Sequence, residues 1–287
     1  MRAYLLSDNL DSLVGLRLAG IEEVAEAVAE AREACTRLRW HQALRRRIPE
    51  AAAESRIRGA AASGELEGAR LSDAIVRDLM RGASTWHAPL DPVEAVMKGV
   101  IAATAETEVL ARVVARSPLQ ALARLHTVAA ADLLAPDQLG RPRHGDEDCR
   151  ELIEVSPAAP AGEVMGRLRG VVDLITAMDS VPVPVVVGLV HAELMLTRPF
   201  LRGNGVVARA VERLLVQAGG LDPTGVAVTE LGHGRQGGPA YLGALTAYAR
   251  GDQPGVVLWL VHEAKALASA AAEGERVADA VLAGRIG

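Results

Sequence analysis

Apolar positions recur three and four residues apart along most of this chain, the spacing of a helix face turned toward a core. After Asp11 and Ser12, which suit an N-cap, Leu16, Leu18, Ile21, Val24 and Val28 predict a first helix running to about Arg47. Pro49 suits the first turn of a second helix, whose alanine-rich course passes Ala62 and meets Gly64 and Gly68, where it should end or be interrupted. Further helices are predicted over Asp73–Met80, Val93–Val114, Leu119–Leu134, Glu163–Met178, Pro184–Thr197, Val206–Ala218, Ala240–Ala249 and Val256–Ala272. Between Ala135 and Gly162 the pattern gives way to Pro136, Pro142, Pro157 and Pro160 among glycines and mixed charges. That stretch predicts a long connection with a short hairpin flap at Leu152–Val155, and loops of such length often carry function. Leu231 to Gly238 is a glycine-rich stretch to which no element is assigned.

Composition narrows this to an all-α fold. Half of the 287 residues are hydrophobic but only 2% are aromatic, so the core is built from Ala, Val and Leu, which favours helices packed closely on helices. A net charge of −5 offers no global positive field to hold a nucleic-acid backbone. The local run Arg45, Arg46, Arg47 is better read as a solvated helix face than as a phosphate patch. Cys35 and Cys149 are too few for a disulfide framework or a paired-cysteine zinc site. Met1–Asn9 shows no basic region followed by an apolar stretch, and the apolar window Val181–Val190 is too short to span a bilayer. The expectation is a cytoplasmic protein with neither nucleic acid nor membrane as partner.

Chemistry concentrates in Arg198-Pro199-Phe200-Leu201-Arg202-Gly203-Asn204-Gly205-Val206-Val207-Ala208-Arg209, between two apolar helices. Two glycines flanking Asn204 at a helix start let backbone N–H groups approach an anion closely, and the helix dipole adds positive potential there. Taken alone, Gly-Asn-Gly is also what a plain turn between helices requires.

This segment resembles the signature of the Fic (Fido) family, His-x-Phe-x-Asp/Glu-Gly-Asn-Gly-Arg-x-x-Arg, and matches it at Phe200, Gly203, Asn204, Gly205 and Arg209. Far upstream, Ser63-Gly64-Glu65-Leu66-Glu67-Gly68 is similar to the Ser/Thr-x-x-x-Glu-Gly/Asn inhibitory motif of one class of that family. The resemblance implies a Fic-type helical bundle with a hairpin flap and an N-terminal helical extension. It divides the chain into 1–110, which carries the inhibitory motif at 63–68, and a core at 111–287, which carries the signature at 198–209. It also implies that Glu67 pairs with Arg209 in the place of a nucleotide γ-phosphate, and that Tyr241 borders the nucleotide pocket. An Arg fork and a carboxylate make a strong charge-assisted contact.

Fic enzymes of the commonest type transfer AMP from ATP to a protein hydroxyl, the signature His acting as base and the acidic residue holding Mg²⁺. Here the His position is Arg198, which stays protonated and cannot accept a proton. The metal position is Arg202, a cation where a hard metal ion needs oxygen. The first signature arginine is Val206, and a second adenine-pocket Tyr is replaced by Leu242. No intact catalytic residue and no protein metal site is therefore expected. The candidate anion-binding residues are Gly203, Asn204, Gly205, Arg209 and Tyr241, with Ser63, Glu67 and Gly68 as the inhibitory set.

His191, on the helix before the signature, is assigned a packing role, and His233 is a less constrained candidate base; neither stands at a recognisable spacing from a carboxylate. Three functions remain open at this level. One is a nucleotide-sensing or protein-interaction module without Mg²⁺, binding ATP or another nucleotide. Another is an active nucleotidyltransferase with altered base and metal use, acting on a protein target. The last is a helical structural protein with no ligand. A homodimer is a family-level expectation.

Overall fold

The computed structural model describes residues 11–145, 147–149, 151, 155–236 and 238–285. Among them no strand occurs, and the helices are α1 (Ser12–Ala19), α2 (Glu22–Arg39), α3 (Ile48–Leu66), α4 (Asp73–Met80), α5 (Pro92–Leu110), α6 (Pro118–Ala129), α7 (Ala161–Thr176), α8 (Val183–Thr197), α9 (Asn204–Ala218), α10 (Thr229–Gln236), α11 (Gly238–Ala249) and α12 (Gln253–Leu282). The expected flap at Leu152–Val155 lies outside the described residues except for Val155, which is in a bend.

Local chemistry sets the helix ends. Asp11 caps α1 by accepting the Val14 N–H at 3.0 Å, and Asp91 and Glu94 form a reciprocal capping box on α5. The first predicted helix is divided, because the chain breaks at Gly20 and Ile21 adopts extended backbone before α2. The glycine-rich stretch after Leu231 is not a loop but lies largely in α10. The glycine that masks the helical pattern is what lets α10 pack tightly: a Cβ on Gly232 would strike the Ala266 carbonyl of α12. Helix α12 also runs ten residues beyond its predicted end.

Helix α8 is mostly apolar, His191 and Glu193 apart, and is buried from Pro184 to Thr197, so it forms the centre, covered by α7, α9, α12 and α1. Helix α2 lies along α12, and α3 lies across α5, α10 and α12. Core residues of α2 and α3, such as Leu38 and Ile57, join the same hydrophobic cluster as Leu189 and Trp259. The described residues up to 110 thus share one core with the remainder. By length and composition α12 is apolar enough to cross a membrane, yet 61% of its most apolar window is buried within this fold.

The end of α3 positions one of the site residues. Gly68 takes φ 75°, the Ala69 N–H bonds the Gly64 carbonyl at 2.8 Å, and the Gly68 N–H bonds the Glu65 carbonyl at 3.0 Å. This is a Schellman ending, in which a left-handed residue folds the chain back over the last turn. Glycine adopts that conformation without a Cβ penalty, and Glu67 is left at the C-cap.

Candidate functional site: a self-filled anion cradle

Helix α9 begins at a glycine turn. Gly203 takes φ 76°, and Asn204 staples the turn by accepting the Phe200 N–H at 2.9 Å and donating from Nδ2 to the Phe200 carbonyl at 2.8 Å. The signature's Asn is therefore spent on shaping the turn as much as on any ligand. Phe200 is buried and stacks on His126 with ring centroids 3.9 Å apart. His126 Nδ1 accepts the Gly140 N–H at 2.8 Å, and burial pushes this histidine down to about 4.

The cradle at the start of α9 holds a carboxylate of the chain itself. Glu151 Oε1 accepts the Asn204 N–H at 2.8 Å and the Asn204 Nδ2–H at 2.6 Å, the position an anion takes at a helix N-terminus. Burial raises the Glu151 pKa, opposed by these Asn204 hydrogen bonds. Glu151 was not anticipated from the sequence, since it lies in the irregular connection and approaches α9 only through the fold.

A second carboxylate sits one turn further along. Arg209 donates from Nη2 to Glu67 Oε1 at 2.5 Å and from Nε to Ser63 Oγ at 2.9 Å, so Ser63, Glu67 and Arg209 of the two separate motifs do meet. Arg209 is buried; burial works against its charge, but Glu67, Tyr241 and Glu230 together outweigh this and raise its pKa. Gly205 makes the approach possible, because a Cβ there would collide with the Glu67 carboxylate. Glu67 is also the last member of a stripe. Ser55, Gly59, Ser63 and Glu67 recur every fourth residue of α3, and below Arg209 the same stripe meets Arg213. Arg213 forks onto Glu230 at 2.7 and 3.0 Å and donates to Ser55 Oγ at 3.1 Å, while Gly59 leaves room for that pair.

The substituted arginines part company. Arg198 is buried, with its guanidinium directed at the Ser156 carbonyl, and takes the left-handed conformation at φ 45° that closes α8. Such backbone costs a non-glycine residue about 1 kcal/mol or more. Arg143 holds it there: its Nε donates to the Arg198 carbonyl at 2.8 Å, its Nη2 to the Thr197 carbonyl at 3.0 Å, and its backbone N–H to Pro199 at 2.8 Å. Nothing in the sequence around Arg143 marks this role, which depends on contacts 55 residues away. Arg202, by contrast, is exposed.

Two cavities adjoin here. A void of about 10 Å³ lies among Glu67, Glu151, Arg198, Arg209 and Tyr241. A cleft of about 370 Å³ is lined by Glu67, Glu151, Arg202, Gly203 and Val206, together with Pro92, Val96, Ala129 and Leu133. The cleft falls in the size range of small-molecule sites, whereas the void holds no nucleotide phosphate while the two carboxylates stand in it. Another cavity, of about 430 Å³, lies between α2, the start of α8 and Gly219–Leu221, and touches none of the signature residues.

His191, assigned a packing role, and His233, the less constrained candidate base, both pair with a carboxylate. Glu212 Oε2 lies 2.7 Å from His191 Nδ1 and 2.9 Å from His233 Nε2, all fully buried. No recognisable sequence spacing announces the pairing, since the partners stand 21 residues apart along the chain, on three different helices, and no periodicity reports that. Tyr241 lines the small void and also contacts His191 Nε2 through its hydroxyl at 2.9 Å. Leu242 is only partly buried and packs against the core.

A magnesium ion of the kind implied by the resemblance does not fit these residues. Its signature ligand is the cationic Arg202, and α9 starts with N–H groups that are already donated to Glu151.

No family model and no curated protein matches the chain. Among solved structures it is similar to a Fic family protein from Desulfovibrio desulfuricans G20, with a TM-score of 0.71 and 21% identity over 93% of this chain and 76% of that one. It is also similar to Fic-1 from C. elegans, with a TM-score of 0.64 and 17% identity over 91% of this chain and 73% of that one. With the glycine turn opening α9 and an α3 that ends against it, the chain has the Fic fold.

Proposed function

We propose that this protein is a Fic-fold module that does not perform Mg²⁺-dependent AMP transfer but keeps an anion site, filled by its own carboxylates, which a nucleotide or an acidic partner group occupies when they leave. The observation that carries the reading is the Glu67–Arg209 contact at 2.5 Å across Gly205. A glutamate placed where the resemblance puts a γ-phosphate is a competitive internal ligand, and its release leaves a buried guanidinium with Ser63 as its neutral partner.

The residues present support the loss of transfer chemistry in this reading. Arg198 is committed to the Ser156 carbonyl and cannot take a proton from a hydroxyl. With a cation at Arg202, charge on the ligand would be met by arginines and by the α9 terminus rather than by metal. In this reading ATP, ADP or another phosphorylated compound acts as a signal, and the protein partner is engaged through whatever the site's opening changes at its surface.

Calorimetric titration of the wild-type chain and of Glu67→Ala with ATP, ADP and AMP, each with and without Mg²⁺, tests this. The expected result is weak or no binding by the wild type, clear binding by the variant, and no gain from Mg²⁺. Binding that requires Mg²⁺, or labelled nucleotide transferred to lysate proteins and abolished by Asn204→Ala, would establish an active transferase instead. No binding by either protein would leave a purely structural role.

A further inference from the structure

We propose that His191, Glu212, His233 and Glu263 form a buried four-ligand site for a zinc-type divalent metal ion. The inference is independent of the anion site and rests on a different part of the core.

Each residue comes from a separate helix, α8, α9, α10 and α12, as in metal sites built inside helical bundles. One donor atom from each of the four lies within 4.8 Å of the others. Tetrahedral zinc, with bonds of about 2.0–2.2 Å, sets its ligand atoms about 3.4 Å apart. The observed separations of 2.7 Å (His191 Nδ1 to Glu212 Oε2), 2.9 Å (His233 Nε2 to Glu212 Oε2) and 3.8 Å (His233 Nε2 to Glu263 Oε2) bracket that value. Closing onto an ion requires side-chain shifts of about an ångström or less, not a backbone change.

The second observation is what the protein alone leaves unmet. Neither oxygen of Glu263 has a hydrogen-bond partner, and Glu212 Oε1 and His233 Nδ1 have none, although every one of these atoms is buried. A buried polar group without a partner costs on the order of 1–3 kcal/mol, so several in one pocket call for a missing component. A metal ion supplies it for the oxygens. Two carboxylates also neutralise a divalent cation, while two carboxylates packed together in an apolar interior are otherwise unfavourable. The glycines fit the same purpose, since Gly188 leaves the space in which Glu263 lies against α8, and Gly232 lets α10 bring His233 in close.

The surroundings complete the arrangement. His191, ligating through Nδ1, is oriented by the Tyr241 hydroxyl at its Nε2, 2.9 Å away. Trp259, whose ring centroid lies 5.5 Å from that of His191, walls the site. Two nitrogens and two oxygens suit zinc or a neighbouring transition ion rather than Mg²⁺ or Ca²⁺, which prefer an oxygen shell. With four protein donors and no opening to solvent, the ion's role is structural: it ties α9 to α8, α10 and α12 one turn beyond Arg209.

The test is elemental analysis of the full chain purified without a polyhistidine tag, followed by chelator stripping and titration with Zn²⁺ and Co²⁺. The expected results are near-stoichiometric metal, the visible bands of tetrahedral Co²⁺, and a lower melting temperature after stripping that Zn²⁺ restores. Glu263→Gln and His233→Gln should each weaken binding by roughly tenfold or more, while His87→Gln, at an exposed histidine, should not change it. A folded wild-type chain that takes up neither ion overturns the proposal, as does binding by both ligand variants equal to that of the wild type. Should a variant fail to fold, the wild-type metal content and Co²⁺ spectrum decide the matter alone.

Discussion

Glu67→Ala removes the carboxylate that Arg209 meets at 2.5 Å and leaves Ser63 Oγ, at 2.9 Å, as a neutral partner. Breaking a fully buried ion pair from one side costs about 3–5 kcal/mol, because the remaining charge is stranded. Arg209 is buried to 2% exposure, but the Glu67 side chain keeps 14%, so water reaches the vacated place and Ser63 continues to accept. These two effects reduce the expected loss to about 2 kcal/mol, or a fall in melting temperature of roughly 3 °C for a chain of this size.

An anion that takes the vacated place reverses the loss. At a concentration one hundred times its dissociation constant a ligand returns about 2.7 kcal/mol, enough to cancel the destabilisation. Thermal melts of Glu67→Ala with increasing ATP or pyrophosphate should therefore climb back to the wild-type value, while the wild type moves much less. Glu67→Ala with Glu151→Ala, which also frees the Asn204 N–H groups, should bind still more tightly. If Glu67→Ala loses stability but no phosphate compound restores it, the pair is a structural rung like Arg213 with Glu230 and the anion-site reasoning is wrong.

Three further outcomes are expected. Gly68→Ala forces a Cβ into the φ 75° position of the Schellman ending, which should cost about 1 kcal/mol in urea denaturation and, by shifting Glu67, give a weaker form of the Glu67→Ala phenotype. Arg143→Met should cost about 2–3 kcal/mol in the same assay, since the Thr197 and Arg198 carbonyls lose a charged donor and the left-handed Arg198 loses its hold. His126, pushed down to about 4 by burial, stays neutral in the folded chain while the unfolded chain takes up a proton below about 6.5, so stability should fall as pH drops from about 6.5 to 4, by about 3 kcal/mol in total. His126→Gln, whose amide oxygen can accept the Gly140 N–H, should lack that part of the slope in denaturation series at stepped pH.

Helix positions were legible because apolar spacing and proline or Asp caps are local signals, as at Asp11 and Pro49. The meeting of Glu67 with Arg209 was anticipated only through the resemblance of two motifs. Glu151 and Arg143 were not anticipated, because both act from the irregular connection, where no periodicity fixes which face a side chain presents. Helix α10 was lost for a different reason: its glycines lower helix propensity locally, and the tertiary contact with α12 that compensates them is invisible to a window of neighbouring residues. His191 and His233 were undervalued for the same cause, since their common partner Glu212 becomes adjacent only when α8, α9 and α10 pack.

Helix α9 joins the two polar centres and gives their separation a physical sense. Arg209 and Glu212 lie one turn apart on it, the first facing α3 and the second facing α8 and α10, so the helix carries a cation toward one centre and an anion toward the other. Tyr241 touches both centres, lining the void beside Arg209 while its hydroxyl meets His191. A change at Glu67 is therefore free to alter the small void and its rim, while Ser63 still accepts from Arg209 and the contacts of Glu212 and of the Arg213–Glu230 fork hold the next turn of α9. A site built this way responds to an anion by exchanging one carboxylate for another ligand on a fixed guanidinium, which demands rigidity of α9 and mobility only of what meets it.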